Sequence, residues 1–282
     1  FYERWRNGLY NAAAYFENSA GQYRVRHVHR KLFLPTYGLF DEARFVSAGR
    51  QVRAFDTRFG RLGLLICEDL WHSLPATILA LDGAELVIVT SAAPARDFSR
   101  RAAGLPLGDL DSRGMAAPGN VARWHRLARS TAEEHGVFVA VSQLVGSEGG
   151  KLLSGASVVV APDGQTLATG PLFDEALVHA EIHGRALERA RAGAPLLTDL
   201  EQQLPALRSE LTRAASNPVE PTTTEQRPAL PRGHAGPLRP DDPDLLALDL
   251  EHVEQALVHF IREEVRVRRN FERVVIGVSG GV

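Results

Sequence analysis

Disulfides are the first thing this sequence excludes: its 282 residues carry a single cysteine, Cys67, so no internal bridge can form. A lone thiol suits a reducing, cytoplasmic setting. Missing too is any apolar run of roughly 18 residues, the length a membrane-crossing helix needs, and no signal-peptide pattern opens the chain. Charge bias is absent: 32 Lys and Arg stand against 34 Asp and Glu, a net charge of −2. Nucleic acid and membrane surfaces therefore have no bulk electrostatic hold, and neither is expected as a partner. No internal repeat is visible. No metal site is expected either: His27 and His29 share a strand face at i, i+2, but no Cys or carboxylate stands at ligand spacing beside them. What the chain does have is 44% hydrophobic residues, enough to bury one sizeable core with sequence left over. It opens at Phe1 inside patterned sequence and stops at Val282 directly after two glycines, so truncation at both ends is expected.

Short apolar runs alternate with amphipathic stretches from Leu9 to Ile182. RLGLLIC, 61–67, reads as a buried strand, Leu74 to Leu81 as a helix that Gly83 closes, and ELVIVT, 85–90, as a second strand. Residues 91–119 lack a period and read as a long loop. Asn120 reads as the N-cap of a helix whose buried face holds Val121, Trp124, Leu127, Ala128 and Thr131, with Gly136 as the stop. GVFVAVSQLV is a further strand. ASVVV and QTLAT form a hairpin around Asp163-Gly164, and ALVHAEI reads as a closing strand near Ile182. Strands alternating with helices, then hairpins, predict an α/β layered domain. Residues 184–215 read as surface helices broken at Pro195. Seven prolines among the 27 residues of 217–243 mark a linker. The organisation expected is one domain over 1–216, the linker over 217–243, and the start of a second domain over 244–282. That second domain begins with an amphipathic helix, from about Pro243 to Arg269, and the strand-and-turn VVIGVSGGV.

Chemistry concentrates in two blocks. Cys67 ends an apolar strand and begins the polar stretch EDLWH. A nucleophile at a strand-to-turn junction has free backbone N–H groups beside it, able to hold an oxyanion. Its thiol needs a base and a nearby cation. Taken alone, a cysteine at the end of an apolar strand is more often an inert core residue. Lys31 stands 36 residues earlier, at the end of the alternating VRHVHRK, with Pro35 opening a loop beyond it. Glu42 follows eleven residues later. Taken singly, Lys31 and Glu42 read as solvated charges.

Together the blocks K-x-x-L-P-x-Y-x-x-F-D-E (Lys31 to Glu42) and I-C-E-D-x-W (Ile66 to Trp71) resemble the nitrilase superfamily of carbon–nitrogen hydrolases. Within it they look most like the glutaminase domain of glutamine-dependent NAD synthetases. The resemblance covers about residues 1–182 and implies a nitrilase-type α-β-β-α sandwich. It also implies a Glu–Lys–Cys triad, often with a second Glu: Cys67 as nucleophile, Lys31 holding the oxyanion and Glu42 as the supporting glutamate. Tyr37 is implied at the pocket mouth, with Glu68 and Arg96 completing the substrate-binding candidates. Two departures stand out. The family's general-base glutamate lies several tens of residues before the lysine, and only 30 residues precede Lys31 here; Glu3 and Glu17 are too close to it. The chain as given is therefore expected to turn over little or nothing. TSAAPAR places Ala93 where these synthetases carry a serine that helps to hold glutamine.

At the far end, a buried strand running into Ser279-Gly280-Gly281 suits phosphate binding, because successive N–H groups make an anion nest. A plain strand-ending turn fits the same residues. V-S-G-G-V resembles the start of the pyrophosphate loop of N-type ATP pyrophosphatases, which implies a Rossmann-like domain using ATP with Mg2+. An amidase domain without a cofactor, a linker and this loop, in that order, imply glutamine hydrolysis feeding the amidation of nicotinic acid adenine dinucleotide (deamido-NAD). Two rivals stand beside that reading: an amidase acting on another amide, and a non-catalytic module. A homo-oligomer is expected by analogy with nitrilases.

Overall fold

The computed structural model describes residues 1–38, 40–96, 118–216, 250–262, 265–266 and 269–273. Three strands open the chain: β1 (Tyr2–Trp5), β2 (Gly8–Ser19) and β3 (Gln22–Arg30), an antiparallel sheet in that order. Next come β4 (Phe55–Thr57), β5 (Gly60–Ile66), α1 (Ser73–Leu81) and β6 (Leu86–Ser91). They are followed by α2 (Gly119–His135), β7 (Phe138–Gln143), β8 (Val145–Glu148), β9 (Lys151–Ser154), β10 (Val158–Val160) and β11 (Thr166–Thr169). α3 (Gly184–Gly193), α4 (Leu196–Ser216) and α5 (Leu250–Arg262) complete the described elements. The large sheet has the order β11-β10-β7-β6-β5-β4, while β8 and β9 pair as a separate hairpin. Its centre, β5-β6-β7, is parallel, and its flanks are antiparallel.

Strand alternation assigns the two faces of this sheet. Leu65, Val87, Val89, Val139, Val141, Val158 and Val160 point to one side and meet Leu79 and Ala80 of α1 and Trp124, Ala128 and Ala132 of α2. Each such side chain contributes about 1.5–3 kcal/mol on burial. Leu62, Leu64, Leu86 and Ile88 point the other way and pack with Phe55 against Ala13 and Tyr15 of β2. Farther along this second face, Phe138 and Ala161 meet Leu187 of α3. Among the described residues the layers are thus helices, large sheet and small sheet, a mixed α/β fold. α1 comes so close to the sheet that a Cβ on Gly63 would lie 2.6 Å from Leu79 Cδ1. Leu79 is fully buried and cannot retreat. Gly63→Ala is therefore expected to destabilise the domain by about 1–3 kcal/mol, read as a lowered urea midpoint; an unchanged midpoint would show that α1 shifts freely.

The helix expected after the loop spans Gly119–His135, and Gly136 ends it with φ +57° in the left-handed region that favours glycine. Its N-cap is Pro118, not Asn120. Asn120 is the second helical residue, and its side chain is spent elsewhere, as described below. ALVHAEI forms no strand: Leu177 is exposed, and no described strand pairs with this segment. An apolar alternation becomes a strand only where a neighbouring strand pairs with it, and none of the described strands does. The chain divides into two compact units, 1–197 with 249–282, and 198–248. The first includes α5, whose His259 ring lies 5.8 Å from the Phe173 ring. The whole of the expected linker, 217–243, and the Ser279-Gly280-Gly281 turn lie outside the described residues.

Candidate active site

Cys67 leaves β5 at the carboxyl end of the parallel strands, where open α/β sheets bind ligands. Its backbone has φ +47°, a left-handed conformation that costs a non-glycine residue of order 1–3 kcal/mol. The sharp turn it makes leads into a single 3₁₀ turn, Cys67–Trp71. Next to it in the sheet, Ser91 ends β6 with its hydroxyl buried. The expected nucleophile therefore stands at an elbow rather than inside the core.

Lys31 follows β3 directly, and its backbone is fixed by two hydrogen bonds: its N–H donates to Asn11 O at 2.9 Å, and its carbonyl accepts from Gly49 N at 2.7 Å. Its ammonium is buried and donates to Glu42 Oε2. Glu42 Oε1 accepts from Asn11 Nδ2 at 2.8 Å. Lys31, Glu42 and Cys67, from three segments separate in sequence, line one cavity of about 590 Å³. Burial pushes the Cys67 thiol above its ordinary value. The Ser91 hydroxyl, the Lys31 ammonium and the Glu68 backbone N–H oppose that push, and the Glu42 carboxylate adds to it. Burial and Glu42 thus hold the thiol against ionisation, while Ser91, Lys31 and the Glu68 N–H favour its anion.

A second cavity, of about 270 Å³, meets the first at Cys67; Pro35 and Phe40 also line both. Tyr37, Glu68, Trp71, Ala93, Arg96 and Trp124 face this smaller space. All three substrate-binding candidates are therefore on one pocket. Arg96 lies over the Phe40 ring, 5.4 Å from Cζ to the centroid, and its Nη2 is buried without a hydrogen-bond partner among the described residues. Glu68 Oε2 is buried without one as well. Tyr37 stands against the Glu68 carboxylate; burial, then that negative charge, pushes its phenol above the ordinary value.

Several positioning groups escaped sequence reasoning. Asn120 accepts from Arg96 N at 2.9 Å and donates to Pro94 O at 2.8 Å, holding the turn that presents Ala93 and Arg96. Trp71 meets Trp124 edge-on, ring centroids 5.4 Å apart. Glu3 and Glu17 are engaged by Arg30 and Arg26, with Glu3 Oε2 2.6 Å from Arg30 Nε, so neither is free to serve Cys67 as a base. Among the described residues no group of His, Cys and carboxylates could hold a metal ion, and no helix is long and apolar enough to cross a membrane.

The model of one family, carbon-nitrogen hydrolase, matches residues 1–192. The chain belongs to the carbon–nitrogen hydrolase family. Among the relatives of this hydrolase is a glutamine-dependent NAD(+) synthetase of Thermotoga maritima, 27% identical over 97% of this chain and 40% of the relative. Another, a chloroplastic omega-amidase of Arabidopsis thaliana, is 30% identical over 69% of this chain and 47% of the relative. The chain thus spans less than half of either relative. Among solved structures, a carbon-nitrogen hydrolase from Helicobacter pylori superposes with a TM-score of 0.58 at 27% identity, covering 70% of this chain and 65% of that one.

Proposed function

We propose that this chain carries the amide-hydrolysing part of a glutamine-dependent NAD synthetase. The observation that supports it most is the convergence of Lys31, Glu42 and Cys67 on one cavity, with Cys67 also walling a second pocket. In this reading the Cys67 thiol gives up its proton and the sulfur attacks the amide carbon. Lys31 and the Glu68 N–H steady the oxyanion. The C–N bond breaks, the nitrogen takes a proton and leaves as ammonia, and water hydrolyses the thioester to a carboxylate. Glu42 keeps Lys31 in place.

Glutamine fits the smaller pocket by charge: the unpartnered Arg96 Nη2 suits an α-carboxylate, and the unpartnered Glu68 Oε2 suits an α-ammonium, with Tyr37 beside it. The ammonia would then amidate adenylated nicotinic acid adenine dinucleotide. Residues 244–282 would open the ATP-using domain, with Ser279, Gly280 and Gly281 at the phosphates and Mg2+ alongside ATP. A match to the Thermotoga synthetase over 275 residues supports that extension. A second reading, hydrolysis of a non-glutamine amide without NAD synthesis, is favoured by Ala93, which offers the pocket no hydroxyl, and by the omega-amidase relative.

Ammonia release from glutamine, asparagine and simple amides tests both, using the parent gene's full product. The full product is expected to hydrolyse glutamine, and Cys67→Ala to lose that activity entirely. Release from another amide but not from glutamine selects the second reading. Activity that survives Cys67→Ala overturns both.

A further inference from the structure

One carboxylate outside the triad touches both halves of the site. Asp69 lies two residues beyond Cys67, fully buried. Its Oδ1 accepts from Leu32 N and Phe33 N, each at 3.0 Å. Its Oδ2 accepts from Ile66 N at 3.1 Å and pairs with His29 Nε2 at 2.9 Å. His29, itself buried, stands two residues before Lys31. Every partner is therefore within two residues of Lys31 or directly before Cys67, on segments 36–40 residues distant in sequence or three residues back.

We propose that Asp69, oriented by His29, is the positioning residue that sets the distance and direction between the Lys31 ammonium and the Cys67 sulfur. The proposal rests on the reading of Cys67 as nucleophile and Lys31 as its cation. The physical case is one of competing demands. The elbow at Cys67 is strained by its φ of +47°, and strain persists only where surrounding bonds over-determine it. Lys31 ends an edge of the small sheet, and Cys67 ends a central strand of the large one. Two sheets packed through apolar side chains slide more easily than they separate, because dispersion and burial have no direction. Four directional hydrogen bonds to one buried carboxylate remove that freedom where it matters, and bonds to a charged acceptor are about twice as strong as neutral ones. A hydrocarbon of the same shape would keep the packing and lose the registration.

Asp69→Asn, His29→Leu and His29→Gln in the full gene product test this, with glutamine kinetics, Cys67 alkylation against pH, and urea midpoints. Asn replaces half of the acceptor set by a donor; Gln can return a donor near His29 Nε2, and Leu cannot. Asp69→Asn is expected to lower kcat about 10²-fold, the cost of an ångström-scale misplacement, with KM little changed. Its alkylation profile should move to higher pH as Lys31 drifts from the sulfur. His29→Leu should follow in the same direction, and His29→Gln should recover most of the loss. Should Asp69→Asn fail to fold, the two His29 variants decide alone. A lowered urea midpoint with unchanged kcat and alkylation profile would make Asp69 a structural residue only and overturn the proposal. Cys67→Ala that leaves glutamine hydrolysis intact would instead overturn the underlying reading, whatever Asp69 does.

Discussion

Lys31→Met is expected to abolish measurable glutamine hydrolysis in the full gene product and to slow alkylation of Cys67 at neutral pH. Burial already holds the Cys67 thiol above its ordinary value, and the Lys31 ammonium is one of three groups that restrain the rise. Without it the rise is larger, so the alkylation profile moves to still higher pH. The sign for stability follows from the same shift. A raised thiol favours the protonated form in the folded state, so the fold loses stability only as pH climbs above the ordinary thiol range, and Lys31→Met steepens that alkaline loss. Removing one donor to an oxyanion alone costs about 10²- to 10³-fold in rate; here the same change also disarms the nucleophile. Stability suffers at neutral pH as well. Glu42 would keep Asn11 but lose its buried cation, and breaking such a pair costs about 3–5 kcal/mol. Lys31→Met with Glu42→Gln should regain much of the stability and none of the rate. A single variant with the parent's rate and alkylation profile would remove Lys31 from the chemistry.

What the sequence revealed of this site, and what it hid, divides along the range of the interactions. The candidates Cys67 and Lys31 were legible only together: alone they read as a core thiol and a solvated charge, and it is the pair of blocks holding them that resembles a known family. Each block is a local signal, carried by the few residues on either side. Asp69 was not legible: it sits in the same EDLWH stretch, but its partners include backbone N–H groups 36 and 37 residues back, and a backbone donor leaves no mark on residue type. Asn120 was misread for a related reason. An Asn before an amphipathic run is a good N-cap, and its carboxamide found a better use in the Pro94–Arg96 turn. ALVHAEI shows the complementary failure. Its pattern is local, but a strand also needs a partner to pair with, and pairing is a property of the whole fold.

Arg96 and Glu68 carry the second large effect. Arg96→Gln is expected to raise KM for glutamine about 10- to 150-fold, the range that follows from 1.5–3 kcal/mol for a hydrogen bond to a charged group, with kcat changed far less. The reason is where the two atoms are. Arg96 Nη2 and Glu68 Oε2 are already buried without partners among the described residues, so much of their desolvation cost is met when the protein folds rather than when substrate arrives. A substrate that supplies both an anion and a cation satisfies both; one that supplies only the anion leaves Glu68 Oε2 without a partner, with Oε1 3.8 Å from His72 Nε2. Glutamine should therefore be preferred over its analogue without the α-amino group, and Glu68→Gln should erase that preference while sparing hydrolysis of the analogue. The ratio of kcat/KM for the two substrates, in the parent protein and in Glu68→Gln, measures this directly. Equal ratios would assign Glu68 to positioning Tyr37, and a preference for the analogue in the parent protein would favour the non-glutamine amidase, with Ala93 and Arg96 shaping a pocket for a plain ω-amide of a dicarboxylic acid.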